Sequence, residues 1–326
     1  MTFCAPLYRL KESVSYLCRT RLTNGWFHRT DIRKEKIVQT SADLNQRTIK
    51  DLRRISHKLS KQIIEITTRA GSGHPSSSLS MIDILTALYF SGVMHYDPHR
   101  PQWLERDRFI LSKGHGAPGL YVTLAEAGYF DADLLPTLRQ TGSPVEGHPN
   151  MRALPGVEAS TGSLGQGLSI GLGHALAARL DGQTYRVYVI IGDGEADEGQ
   201  IWEATMAAAK YKVDNLTLIV DNNHYQQTGA VEDIMPVLTP FMEKWRAFDW
   251  YTHEIDGHDM QKIVSSLEMM KSVSGQPQVI VAHTKKGKGL SPFEADETSH
   301  KHGKTLTKEE AQVALSELDD MYADLD

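Results

Sequence analysis

The sequence has few cysteines, no long apolar run and no excess of basic residues, and each shortage excludes a class of protein. Only two of its 326 residues are cysteines, Cys4 and Cys18. Both lie near the N-terminus and cannot cross-link the rest of the chain, so we expect a reducing, cytoplasmic location. No stretch reaches about 18 consecutive apolar residues, so no membrane span is expected.

Charge is also close to balanced. The chain has 35 Lys and Arg against 41 Asp and Glu, a net charge of −6. A mildly acidic chain has no general attraction for nucleic acid or for an anionic membrane, and we expect neither as a partner. Apolar residues make up 40% and charged residues 23%, an ordinary globular composition. Any anionic ligand must therefore be held by a local site.

The N-terminal region differs from the rest of the chain. Residues 1–36 contain eight Lys or Arg against three Asp or Glu, with no clear apolar period. We expect residues 1–42 to form a poorly ordered extension. The alternative is a transit peptide, against which Glu12 and Asp31 count. We expect one domain over residues 43–310 and a C-terminal helix or tail over residues 311–326.

Apolar residues recur at helical spacing on both sides of a glycine-rich break at residues 69–76. The first set is Ile49, Leu52, Ile55, Leu59, Ile63 and Ile66. The second set is Leu79, Ile82, Leu85 and Tyr89. A third helix is predicted over residues 165–180, where leucines recur at every fourth position.

Short apolar runs that are typical of buried strands occupy residues 187–191, 216–220 and 279–282. A helix is predicted over residues 200–210, between the first two runs. Strands that alternate with helices predict an α/β fold, a parallel sheet with helices on both faces. Ligands of such sheets bind beyond the carboxyl ends of the strands.

Gly192-Asp193-Gly194 follows the first of these runs, and Asn222-Asn223 follows the second. Asp193 and Asn223 are 30 positions apart, about one strand–helix–strand unit, so we expect both side chains at one edge of the sheet. Carboxylate and amide oxygens suit Mg²⁺ or Ca²⁺, and Mg²⁺ completes its coordination with phosphate oxygens and water. We interpret this edge as a metal–diphosphate site, with two unrelated turns as the alternative.

Four of the fourteen histidines lie in glycine-rich or turn-like contexts, namely His74, His115, His148 and His302. Each could be an ordinary surface histidine. Together they favour a site rich in groups that transfer protons near neutral pH. A zinc site is disfavoured because no His-Glu-x-x-His motif and no nearby cysteine is present.

Several short motifs follow one another between residues 50 and 305. They are Ser72-Gly73-His74-Pro75, the segment 106–115 (RDRFILSKGH), Gly147-His148-Pro149, the segment 154–158 (LPGVE), the segment 161–167 (TGSLGQG), Gly192-Asp193-Gly194 with Glu198-Gly199, Asp221-Asn222-Asn223 and His302-Gly303. In residue type and order they resemble the N-terminal half of the transketolase family. That half is a thiamine-diphosphate-binding fold, the pyrophosphate domain.

The resemblance implies a role for each matching residue. Asp193 and Asn223 would bind a divalent ion, Mg²⁺ or else Ca²⁺ or Mn²⁺, through their side chains, and Tyr225 through its backbone carbonyl. Residues implied to contact thiamine diphosphate are His115, His148, Gly162, Ser163, Leu164, Gly194, Glu195, Asn223 and His302. Residues implied to act in catalysis are His74, His115, His302 and Glu198. His300 is a nearby competitor to His302.

The resemblance also implies a partner. In full-length transketolases a pyrimidine domain follows this half and supplies the glutamate that activates the cofactor and the arginines that bind the sugar phosphate. The chain ends at Asp326, so we expect the N-terminal subunit of a two-chain transketolase, in an α₂β₂ assembly with a C-terminal subunit. Its implied reaction is transfer of a two-carbon ketol unit from a ketose phosphate to an aldose phosphate.

Other thiamine enzymes remain as alternatives at this point. A 1-deoxyxylulose-5-phosphate synthase and a 2-oxo-acid dehydrogenase component use a similar Gly-Asp-Gly module, but the two Gly-His-Pro segments and Leu-Pro-Gly-Val favour transketolase. A cofactor-binding subunit without catalysis is a further alternative, against which the intact histidines count. The substrate stays open, and branched or sulfonated sugars are among the candidates.

Overall fold

The computed structural model describes residues 47–325. The expected extension, residues 1–42, therefore lies outside the described residues. Within the described part the strands form one five-stranded, wholly parallel sheet in the order β1-β2-β3-β5-β4. The strands are β1 (Arg108–Leu111), β2 (Val187–Gly192), β3 (Leu216–Asn222), β4 (Tyr251–Asp256) and β5 (Gln278–His283).

Helices connect these strands and cover the sheet. They are α1 (Ile49–Ala70), α2 (Pro75–Phe90), α3 (Ala117–Glu126), α4 (Gln166–Leu180), α5 (Gly199–Lys210), α6 (Val231–Ile234), α7 (Phe241–Ala247), α8 (Met260–Lys271), α9 (Ser291–Glu294) and α10 (Lys308–Met321). None of the helices within residues 47–325 is both long and apolar enough to cross a membrane.

The two faces of the sheet contribute to two separate apolar cores. Alternate residues of a strand point to opposite faces, so Val187 and Val189 pack into the core that includes α4, α5 and α7. Tyr188 and Ile190 pack into the other core, with α1, α2, α3, α8 and α10. Every residue of β2 and β3 is buried, as expected for strands covered on both sides. The predicted α/β class is confirmed.

Helix α2 lies in the middle of the second core. All of its 16 residues are buried, including the polar side chains of Ser77, Ser80 and Asp83. Buried polar groups need partners, and these three side chains, or their backbone groups, bond to residues beyond the helix. Its N-terminus follows His74, which is the first of the glycine-flanked histidines.

Strand register brings the predicted polar residues to one edge. Gly192 pairs with Asp221, and Asn222 pairs with His283. Asp193 and Asn223 therefore leave neighbouring strands at the same carboxyl edge of the sheet. The turn after Asp193 is a short 3₁₀ helix, Gly194–Asp197, and α5 follows it.

Candidate active site

A cavity of about 390 Å³ opens at the carboxyl edge of the sheet. It is lined by both groups of residues that the sequence singled out. The predicted residues among its lining are His74, His115, His148, Gly162, Leu164, Asp193, Gly194, Glu195, Glu198, Asn223, Tyr225 and His302. Ser163 is the one predicted site residue outside the lining, and it lies in an exposed part of the neighbouring loop.

One side of the cavity carries oxygen donors, and we call Asp193, Asn223 and the Tyr225 carbonyl the oxygen side. Backbone amides hold the Asp193 carboxylate in place. Gly194 donates to Oδ1 at 2.8 Å and His224 donates to Oδ2 at 2.5 Å. The Asn223 amide oxygen accepts from the amide of Tyr225 at 3.2 Å. This leaves lone pairs on all three oxygens.

Burial disfavours the ionised form of the Asp193 carboxyl group. Desolvation, and then the neighbouring charge of Asp221, raises the pKa of Asp193 to about 7. A bound cation would reverse that cost, and a carboxylate, an amide and a carbonyl are the hard donors that Mg²⁺ and Ca²⁺ take. Within residues 47–325 no cluster of three or more His, Cys, Asp or Glu side chains forms a metal site. A metal here would use this mixed donor set, and the residues present fit it.

Lys286 already places a positive charge beside the oxygen side. Its ammonium group donates to the carbonyls of Tyr225 at 3.2 Å and Gln226 at 3.4 Å. Each carbonyl has a second lone pair, so this contact leaves the Tyr225 oxygen free to bind a metal ion as well. Lys286 is only 2% exposed, and burial lowers its pKa to about 8.

The same cavity is also lined by three imidazoles, His74, His115 and His302, which we call the histidine triangle. Their ring centroids are 5.2 Å (74–115), 5.3 Å (74–302) and 5.1 Å (115–302) apart. The three rings come from the N-terminus of α2, the turn after β1 and the segment before α10. Three distant parts of the chain thus converge on one point.

Burial keeps all three rings neutral at physiological pH. It lowers the pKa of His74 to about 4 and that of His302 to about 3, and the pKa of His115 falls well below its usual range. Nearby positive charges, including Lys113, add to the effect. Each neutral ring keeps one donor and one acceptor nitrogen.

Lys286 fixes the tautomer of one ring. Its ammonium group lies 2.9 Å from Nδ1 of His302. Because an ammonium group can only donate, Nδ1 is the acceptor and the proton of neutral His302 resides on Nε2. His74 instead has a buried Nδ1 with no partner among the described atoms. An unpartnered polar atom in a cavity wall is expected where a polar ligand binds.

The structure separates His302 from its competitor. His300 packs its ring on Tyr225, with centroids 4.1 Å apart, and it does not line the cavity. His302 lies in the triangle. The geometry therefore favours His302 as the residue that faces a ligand.

Glycine is required where the loop of residues 161–167 meets the cavity. Gly162 has a φ of +148°, and a Cβ there would lie 3.1 Å from the His148 ring. His148 itself is exposed, at the cavity's outer rim. A Cβ on Gly194 would lie 2.5 Å from Gln226, so both glycines allow backbone to line the wall closely.

The two predicted glutamates differ in what they can still bind. Both carboxylate oxygens of Glu195 are used, because they accept from Ser112 and from the amides of Gly165 at 2.9 Å and Gly192 at 3.1 Å. Glu195 therefore holds the loop, and its Oε2, which accepts one bond, keeps a lone pair for a further donor. Glu198 is exposed at the start of α5 and has no bond from its side chain within the described residues. It is free to meet a second chain.

Sequence reasoning missed several lining residues, chiefly Ser77, Lys113 and Gln226. It also missed Lys286, which lies outside the lining but bonds to two residues within it, Tyr225 and His302. Lys113 is 1% exposed and forms a buried ion pair with Asp221, and it donates to the Ser77 carbonyl at 3.0 Å. Burial alone would raise the pKa of Asp221, but Lys113 and hydroxyl donors lower it overall. Lys113 lies inside a motif that the sequence analysis noted for its histidine alone.

Comparison with known proteins agrees with this geometry. Residues 51–319 match the family described as transketolase, thiamine diphosphate binding domain. The chain is 45% identical over 269 residues to the 6-deoxy-6-sulfo-D-fructose transketolase subunit SqwG of Clostridium sp. MSTE9, covering 82% of this chain and 96% of that one. It is 40% identical to an apulose-4-phosphate transketolase subunit of Phocaeicola vulgatus, covering 83% and 95%.

A solved structure shows the same fold. Transketolase from Campylobacter jejuni superposes with a TM-score of 0.74 at 31% identity, covering 83% of this chain and 42% of that one. Fold and site together thus define a thiamine-diphosphate-binding domain. The chain belongs to the transketolase family. It matches nearly the whole length of the two subunits above and less than half of the Campylobacter enzyme.

Proposed function

We propose that this chain is the N-terminal subunit of a two-chain transketolase. It would transfer a two-carbon ketol unit from a ketose phosphate to an aldose phosphate. The observation that carries the proposal is one cavity lined by both a buried oxygen side and a triangle of neutral histidines. The oxygen side suits a metal–diphosphate group, and the histidine triangle suits proton transfer to sugar hydroxyls.

The oxygen side would hold the cofactor through a divalent ion, Mg²⁺ in the first instance. Asp193 and Asn223 would bind it by their side chains and Tyr225 by its carbonyl. Lys113, which lines the cavity, and Lys286, which bonds to the Tyr225 carbonyl, add the positive charge that a diphosphate needs. Further cofactor contacts are expected from His115, His148, Gly162, Ser163, Leu164, Gly194, Glu195 and His302. When bound, thiamine diphosphate supplies the nucleophilic carbon and the electron sink.

The histidine triangle would move protons on the substrate. Because His302 is held with its proton on Nε2, it is ready to donate a hydrogen bond toward a sugar oxygen. His74 and His115, which are neutral, can each accept a proton from a hydroxyl group or return it. Burial keeps bulk water from competing for these positions.

The other half of the site would come from a C-terminal subunit that carries a pyrimidine domain, in an α₂β₂ assembly. Both relatives support this, since each is named as one subunit of a transketolase. Glu198 supports it locally, because its exposed carboxylate at the cavity rim is available to share a proton with a partner's acidic residue. A cytoplasmic location remains a prediction from the cysteine content.

The substrate that we propose is an anionic ketose that is either sulfonated or branched. The two relatives carry the names of a sulfofructose and an apulose phosphate enzyme. Both relatives and the Campylobacter structure are named as transketolases. These names favour a transketolase over a 1-deoxyxylulose-5-phosphate synthase or a 2-oxo-acid dehydrogenase component.

The test is two-carbon transfer with purified proteins. The chain alone, the candidate partner alone and the two together would be assayed with thiamine diphosphate and Mg²⁺. Donors would be fructose 6-phosphate, 6-deoxy-6-sulfofructose and apulose 4-phosphate, with one aldose phosphate acceptor. We expect turnover only from the mixture, fastest with one of the two unusual donors. Substantial turnover by the chain alone would overturn the two-chain assignment.

A further inference from the structure

A second buried charge cluster lies behind the cavity and contributes nothing to its lining. We call Asp83, Lys288, Ser56, Tyr322 and His258 the Asp83 network. The Lys288 ammonium lies 3.0 Å from Asp83 Oδ1 and 3.2 Å from the Ser56 hydroxyl, and it also contacts the Tyr322 hydroxyl. His258 Nδ1 lies 2.8 Å from Asp83 Oδ2. Asp83 is 3% exposed and Lys288 8%.

The network joins five separate parts of the fold. Ser56 belongs to α1, Asp83 to α2 and Tyr322 to the residue after α10, while His258 lies in the turn between β4 and α8. Lys288 lies in the loop after β5. A buried ion pair contributes little net stability, because desolvation offsets most of the attraction. A role in fixing one loop conformation explains such a pair better than a role in stability.

The loop after β5 adopts a conformation that needs fixing. Gly287 has a φ of 72° and Lys288 a φ of 57°, two consecutive left-handed residues. The left-handed region is unfavourable for lysine, because its Cβ comes too close to the following carbonyl oxygen. The turn sends two nearby side chains in opposite directions. Lys288 points into the Asp83 network, and Lys286 points toward Tyr225 and His302, which line the cavity.

Asp83 controls the loop on both sides of Lys286. Its Oδ1 binds Lys288 directly. Its Oδ2 binds Nδ1 of His258, and Nε2 of the same ring accepts from the backbone amide of Lys285 at 2.9 Å. One carboxylate therefore anchors the residue before Lys286 and a residue after it. Between these two anchored residues, Lys286 contacts His302, which lines the cavity.

We propose that the Asp83 network positions Lys286, so that Asp83, Lys288 and His258 act on the cavity without touching it. The proposal names positioning residues for the site whose function is proposed above, and it rests on that function only for the identity of the ligand. Without the network the loop would lose its left-handed turn. Lys286 would then leave the Tyr225 carbonyl and His302.

The first test measures where Lys286 is, with no ligand present. Brief acetylation of the full chain, read by mass spectrometry, reports the accessibility of each lysine. We expect His258→Ala and Tyr322→Phe to increase labelling of Lys286 by about threefold to tenfold, the range of coupling between residues of one network. Lys113, which is equally buried but held by Asp221, should stay protected and so reports any global unfolding.

His253→Ala is the matched control. His253 is a half-buried histidine of β4 with one side-chain bond, to Ser266 at 3.0 Å, and no connection to the loop. It should leave Lys286 labelling unchanged. Unchanged labelling of Lys286 in both His258→Ala and Tyr322→Phe would overturn the proposal.

The second test asks whether the effect passes through Lys286. Affinity of the assembled enzyme for thiamine diphosphate with Mg²⁺ is measured for His258→Ala, Lys286→Met and the double variant. We expect His258→Ala to weaken binding about threefold to tenfold alone but hardly at all when Lys286 is already Met. Equal effects in both backgrounds would refute positioning through Lys286. If the wild type binds no cofactor, the proposed function fails, and the labelling test still decides the positioning.

Discussion

The oxygen side and the histidine triangle line the same cavity, yet burial shifts the pKa values of their side chains in opposite directions. It raises the pKa of Asp193 to about 7 and lowers the pKa of His74 to about 4 and that of His302 to about 3. In each case the uncharged form gains. The acid favours a bound cation, and the imidazoles stay unprotonated, each with one donor and one acceptor nitrogen for a ligand. One physical effect thus prepares the oxygen side for a cation and the histidine triangle for hydrogen bonds with a polar ligand.

The largest effect should come from breaking the oxygen side. Asp193→Ala, or Asn223→Ala, removes a hard oxygen ligand from the predicted metal site, and we expect binding of thiamine diphosphate with Mg²⁺ to weaken by at least about 100-fold. The fold should persist because both residues follow strand ends. Calorimetric titration measures the affinity, and circular dichroism checks the fold. Affinity equal to that of the wild type in either variant would refute the metal assignment.

Breaking the histidine triangle should act on a different quantity. His74→Ala and His115→Ala each remove a group that exchanges protons, which typically costs roughly 10²–10⁴ in rate. Cofactor affinity should fall far less than turnover. Steady-state kinetics of the assembled enzyme, with cofactor at saturation, separates the two. A variant that keeps wild-type turnover would show that its histidine has only a structural role.

Acid stability of the ligand-free chain sharpens the comparison, because the two sides contribute with opposite signs. As the pH falls from about 7 to 5, His74 and His302 become protonated in the unfolded chain but stay neutral in the native one. Acidification therefore stabilises the unfolded state relative to the native state at these two residues. Asp193 behaves oppositely, since over that range its native carboxyl takes up a proton and the unfolded one stays ionised. The ionised Asp193 carboxylate destabilises the native state, and this destabilisation decreases as the pH falls.

The expected result is a pair of opposite changes. The variant His74→Asn, His302→Asn should lose less stability on acidification than the wild type, and Asp193→Asn should lose more. Allowing for the partial exposure of both rings, each difference should be about 1 kcal/mol. For a chain of this size that is about 1–2 °C in Tm. Thermal melts at the two pH values measure it, and changes of the same sign would contradict the account.

The smallest effect should come from Ser163. Its side chain is exposed and outside the cavity lining. Any contact it makes with a cofactor would use the backbone, so Ser163→Ala should change cofactor affinity and turnover by less than about twofold, as is usual for surface substitutions. The same titration and assay apply, and a tenfold loss of affinity would assign its hydroxyl a direct contact.

The sequence predicted the centre of the sheet better than its edges. Strands β2, β3 and β5 are mostly apolar, and each was predicted within two residues of its observed ends. Strand β1 was missed because it has four residues and begins with Arg108. Strand β4 was missed because it lies at the sheet's edge, where only Ile255 of its residues is buried.

The site shows the same limit. Glycine next to histidine marked the triangle, because that pattern is local. The buried lysines left no local signal, since Lys113 and Lys288 depend on aspartates 108 and 205 positions away. His258 also follows a glycine, yet it binds Asp83 instead of lining the cavity. Local patterns identify candidates, and only the fold determines which of them share a site.

The most direct test of the account is whether thiamine diphosphate binding depends on a divalent ion at the oxygen side. The assembled enzyme would be titrated with thiamine diphosphate in Mg²⁺, and again after the ion is removed by chelation. We expect saturable binding with Mg²⁺, its loss on chelation and its return when Mg²⁺ is restored. Binding of equal strength with and without the ion would contradict the metal–diphosphate assignment.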